Sequence, residues 1–99
     1  MGALLQELQS RWQVMFASLA AGDDLPPGAR LRGEGMMEAA VLSGEASANE
    51  VDAAMAATYL HAFGRSIEDD FRADWRDFYP FPQIPAMSRR APVFPSTPD

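Results

Sequence analysis

Residues 66–90 read SIEDDFRADWRDFYPFPQIPAMSRR, and the fold turns on whether this stretch is one helix followed by packed chain or by a free tail. Ser66 can cap a helix with its hydroxyl, and Glu68 and Asp69 place acids in the first turn, where the helix dipole favours them. Ile67, Phe71, Trp75 and Phe78 then recur at helical spacing. At 100° per residue they form a stripe roughly 80° wide, so the spacing predicts a helix over 66–79. Pro80 ends it. Six of the eight prolines lie between Pro80 and Asp99. Proline at that density forbids a helix and disrupts a strand ladder, so residues 80–99 are expected to be an extended arm. Phe81, Ile84, Met87, Val93 and Phe94 are more apolar than a solvated linker. The arm is therefore expected to pack, either on its own bundle or on the second chain of a homodimer.

Three further helices precede it. In 3–20, Leu4, Leu5, Leu8, Trp12, Met15, Phe16 and Leu19 fill a roughly 120° arc, the width of a core-facing stripe. Gly22 can stop that helix, and Asp23 to Gly28, with paired prolines, reads as a loop. A short helix is expected over 34–43, with 29–33 left open because Gly33 and Gly35 each cost about 1 kcal/mol relative to alanine. Ser47 and Glu50 have capping-box spacing and open a helix over 48–63 that ends before Gly64. Val51, Met55, Tyr59 and Ala62 make one face of it. Ala53, Ala57 and Leu60 make a second apolar strip, as in a central helix or one that meets another chain. The expected fold is all-α: one helical domain over 1–79 and an arm over 80–99 that is not a domain of its own.

Composition narrows the function. The chain has 99 residues, a net charge of −6, eight arginines, no lysine and no cysteine. A phosphate backbone calls for a basic face, so nucleic acid is disfavoured as a partner. No apolar run approaches the ~20 residues of a membrane span, and the first residues lack the basic and apolar blocks of a secretory leader. Without cysteine there is no disulfide framework or thiolate site, and a cytoplasmic location is expected.

Catalytic patterns are sparse. His61 has no acid three or four residues away on its helix, so the local spacing of a helical metal pair or an oriented base is missing. Gly33-Glu34-Gly35 opens like a dinucleotide fingerprint, but Glu38 stands in place of the last glycine and no strand precedes it. No cofactor, metal or catalytic residue is assigned. The helix over 66–79 carries more. Asp70, Asp74 and Asp77 would share one flank of its aromatic stripe, while Glu68 and Arg72 would pair on the other. Arg89 and Arg90 could return to the acidic flank, since residues 80–90 extended span roughly 30 Å and the helix is roughly 20 Å long. Arg89, Pro92 and Pro95 also fit the basic-x-x-Pro-x-x-Pro spacing of polyproline ligands.

The expected function is non-enzymatic: a small regulatory protein, homodimeric, that binds another, basic protein. Phe71, Trp75, Phe78, Tyr79 and Phe81 would be anchors, with Asp70, Asp74, Asp77, Arg89 and Arg90 setting charge preference. Two alternatives stand beside it. One is a small-ligand binder or minor enzyme with a pocket near Trp12, Tyr59 and His61, between the first, third and fourth helices. The other is an acidic decoy that occupies a nucleic-acid-binding surface.

Overall fold

The computed structural model describes residues 2–86, and over them the chain is all-α, in five helices: α1 (Ala3–Ala20), α2 (Pro27–Leu42), α3 (Ala48–Phe63), α4 (Ile67–Phe71) and α5 (Trp75–Phe78). α1 is the hub and packs against both α2 and α3. Its predicted stripe is the buried one: Leu5, Leu8, Trp12, Met15, Phe16 and Leu19. Each such side chain contributes about 1.5–3 kcal/mol when fully removed from water. Gly22, at φ 92°, lets the chain leave α1. Its N–H donates to the Leu19 carbonyl, and that of Asp23 donates to Ser18, which satisfies two orphan carbonyls of the last turn.

α2 begins earlier than 34, the position its two glycines suggest. Pro27 sits in the first turn, where its missing N–H costs nothing and its fixed φ suits the helix. Gly33 is closely approached by two side-chain ends. A Cβ there would lie 3.0 Å from Met15 Cε and 3.3 Å from Ile84 Cδ1. Gly33 thus lies close against α1 and the arm. Gly35 faces open space, and a Cβ there would meet nothing within 4 Å.

α3 starts with the expected capping box: Glu50 N–H donates to Ser47 Oγ (3.1 Å), and Ser47 N–H donates to Glu50 Oε1 (2.8 Å). Its Val51, Met55 and Tyr59 are fully buried against α1, and its second strip, Ala53, Ala57 and Leu60, faces outward. Tyr59 is the aromatic centre. It meets Phe16 edge-on at 5.1 Å, stacks on Phe63 at 4.2 Å, and meets Phe71 edge-on at 6.3 Å.

The single helix expected over 66–79 is two helices. Ser66 caps α4 as predicted, with Asp69 completing a capping box. The chain then breaks at Arg72, at φ 103° and ψ 156°. A straight helix would carry its second half away along one axis at about 1.5 Å per residue. The break turns Trp75 and Arg76 back to the bundle instead: Trp75 is buried, and Arg76 pairs with Asp52 on α3.

The arm's first residues pack on their own chain. Ile84, Pro85 and Ala86 are buried, and Ile84 N–H donates to Glu34 Oε2 at 2.8 Å. Glu34 also accepts from Arg30 Nη1 at 2.9 Å, so a buried carboxylate on α2 bonds the arm and is itself paired. Met87, Arg89, Arg90, Val93 and Phe94 lie outside the described residues.

Candidate partner-binding surface

The break at Arg72 redistributes the residues expected to form one surface. Phe71 and Trp75 are 8% and 6% exposed and belong to the core, because α4 and α5 each turn one aromatic inward. They support a surface and are not free anchors. Phe78 is 59% exposed. Tyr79 and Phe81 are half-buried beside it, with Tyr79 edge-on to Phe71 at 5.9 Å.

Arg76 holds this corner together. Its guanidinium pairs with Asp52 through Nε (3.0 Å) and Nη2. Nη1 donates to the carbonyls of Tyr79 and of Gln83, the latter at 3.0 Å. The same group lies 4.3 Å from the Trp75 ring centroid and 5.6 Å from that of Phe81. One planar cation therefore joins α3, α5 and the arm, a task suited to the fork of arginine. Trp75 Nε1 adds a bond to Glu68 Oε2 at 3.3 Å. Arg72, set sideways by its backbone, lies 5.5 Å from the Phe78 centroid and pairs with Asp74 at 3.1 Å.

The common acidic flank expected of Asp70, Asp74 and Asp77 does not form, because no single helix carries all three. Asp70 accepts from the Tyr59 hydroxyl (2.6 Å) and from Arg65 (2.7 Å), at the foot of the aromatic core. Hydrogen bonding to Asp70, and then its charge, raise the pKa of the Arg65 guanidinium above its ordinary value. Asp74 is taken by Arg72. Asp77 is exposed and makes no ion pair among the described residues. The expected Glu68–Arg72 pairing gives way to Glu68–Trp75 and Arg72–Asp74, because the two halves of 66–79 no longer share an axis. Arg89 and Arg90, expected to face the acids, lie outside the described residues.

The corner's organising residues, Arg76, Asp52 and Glu34, carry no local signal in the sequence. Arg76 and Asp52 are 24 residues apart, and Glu34 and Ile84 are 50 apart.

The residues expected to line a pocket, Trp12, Tyr59 and His61, do not share one environment. Trp12 and Tyr59 are fully buried in the core, and His61 is exposed on the outside of α3. Concave surface occurs elsewhere. One groove, of about 450 Å3, runs between α1 and the start of α2. Another, of about 390 Å3, lies between α1, the α2–α3 loop and α3. Among the described residues, no group of three or more His, Cys, Asp or Glu side chains is placed to hold a metal ion, and no helix is long and apolar enough to cross a membrane. Compared with known families, with curated proteins and with solved structures, the chain matches none.

Proposed function

We propose that the protein is a non-enzymatic interaction module that binds another protein through the corner formed by α5 and the start of the arm. Phe78 is the anchor, with Tyr79 and Phe81 as its flanks. The carrying observation is the contrast between Phe78 and its neighbours: the ring stands in water while Phe71, Trp75 and Arg76 fix the backbone beneath it. A large aromatic on a rigid base loses little conformational freedom on binding, and such residues dominate interface energies. Asp77, one residue away and unpaired among the described residues, favours a partner with a basic side chain at the rim. Arg72 already covers part of the Phe78 ring, so that cation enters from the Asp77 side.

The test compares Phe78→Ser with wild type and with Leu42→Ser, which removes an exposed apolar group from α2. Partners crosslinked to the wild-type chain are identified and their binding is remeasured with purified proteins. A partner retained by Leu42→Ser and lost by Phe78→Ser supports the module. Equal binding by all three chains removes Phe78 from the interface. Asp77→Asn is expected to slow association at low salt and change little at high salt.

A further inference from the structure

The groove between α1 and α2 combines an aliphatic floor with a cation that has no counterion among the described residues. Its floor is Val14, Met15, Leu25, Pro26 and Ala29, and its volume of about 450 Å3 falls in the range of roughly 300–1,000 Å3 usual for small-molecule sites. Val14 stands 69% exposed in it. Arg11 and Arg32 line the groove from α1 and α2. Arg11 is paired with Glu7 at 3.0 Å. Arg32 makes no ion pair or hydrogen bond among the described residues, whereas Arg30, Arg65, Arg72 and Arg76 are each paired with a carboxylate.

That is a notable vacancy in a chain with fourteen acids and eight arginines, where cations are scarce and nearly all described ones are matched internally. The second groove shows the contrast. Its rim carries Glu45 and Glu50, and both are already bonded to the protein, Glu45 to Leu5 N–H at 2.9 Å and Glu50 to Ser47.

We propose that the α1–α2 groove binds a single-chain aliphatic carboxylate, its tail on Val14, Met15, Leu25 and Ala29 and its head on Arg32. One guanidinium fork matches one carboxylate with two parallel hydrogen bonds, whereas a phosphate head would call for more than the one groove cation left unmatched among the described residues. Ala29 belongs to the first turn of α2 and Pro26 is its N-cap; this end lacks a side-chain cap and carries partial positive charge, so it acts in the same sense. The overall charge of −6 opposes an anion at long range, but charges beyond about 8 Å are largely screened at physiological ionic strength. The local arginine decides the sign. This site is independent of the Phe78 corner.

Decanoate and decanol, titrated into the full chain and followed by amide chemical shifts, test it. Decanoate is expected to bind saturably, with shifts centred on Val14, Ala29 and Arg32, and more tightly than decanol. Arg32→Gln should weaken decanoate about tenfold and leave decanol within about twofold, since the change removes one charge-assisted contact. Arg32 is exposed and makes no bond among the described residues, so the variant keeps the wild-type spectrum elsewhere. Val14→Asp, also at an exposed site, should abolish decanoate binding. The proposal is overturned if decanoate fails to saturate below its own aggregation concentration. It is equally overturned if decanol binds as tightly, if Arg32→Gln leaves decanoate unaffected, or if the shifts map to Phe78.

Discussion

The Ile84 backbone N–H donates to the Glu34 carboxylate across 2.8 Å, and this bond joins residues fifty apart in the chain. It makes the first part of the proline segment a piece of the bundle. Glu34→Ala should therefore destabilise the protein by about 2 kcal/mol, because a buried N–H loses its acceptor and Arg30 its partner. Urea denaturation of the variant checks this.

Gly33 and Gly35 sit in the same helix and should respond oppositely to a methyl group. Gly35→Ala meets open space and should stabilise by about 0.5–1 kcal/mol through helix propensity and unfolded-state entropy. Gly33→Ala forces its methyl toward Met15 and Ile84 and should fall at least about 1 kcal/mol below Gly35→Ala. Thermal melts of the two variants side by side decide it. Equal stabilisation would mean that the ends of the Met15 and Ile84 side chains move aside for the methyl.

Tyr59→Phe removes the hydroxyl that donates to Asp70 and nothing else. The expected loss is about 2 kcal/mol, the scale of a hydrogen bond to a charged acceptor, with the helical circular dichroism spectrum unchanged. Asp70→Ala should cost at least as much, because it leaves the buried tyrosine hydroxyl without that acceptor.

Arg72 occupies a backbone region that only glycine enters without strain, at a cost of order 1–3 kcal/mol. Its exposed pair with Asp74 contributes less than that. Arg72→Gly should thus raise stability by about 1 kcal/mol in chemical denaturation. Under the proposed function it should also weaken partner binding, because Arg72 lies against Phe78 and helps hold that ring. Stability and binding moving in opposite directions is the expected pattern for strain kept at a working surface.

Much of the fold was legible from local pattern. The α1 stripe, the Ser47–Glu50 and Ser66 caps and the stop glycines each act within one turn of helix, so a window of a few residues holds the whole cause. Glycine propensity, a local cost, shortens α2 in the sequence, while the approach of Gly33 to Met15 and Ile84 is not local. The candidate surface was legible only in part. Five aromatics at or near helical spacing could be found, but which stay in water depends on where the helix breaks. The 66–79 stripe fits one helix as well as two, and the break goes with the pairing of Arg76 to Asp52 on α3.

The sequence alone determined an all-helical chain, its caps, its hydrophobic seam and the greasy character of the segment after Pro80. Those features rest on near-neighbour periodicity and on proline and glycine stereochemistry. Only the tertiary structure decided that Phe78 faces water while Phe71 and Trp75 do not, that Asp70 serves Tyr59 and Arg65, that Arg76 finds Asp52, and that Glu34 holds Ile84. The physical reason is that burial and buried charge pairing are set by which distant segments meet. A side chain's sequence neighbours do not specify the partner that will neutralise it or the surface that will cover it.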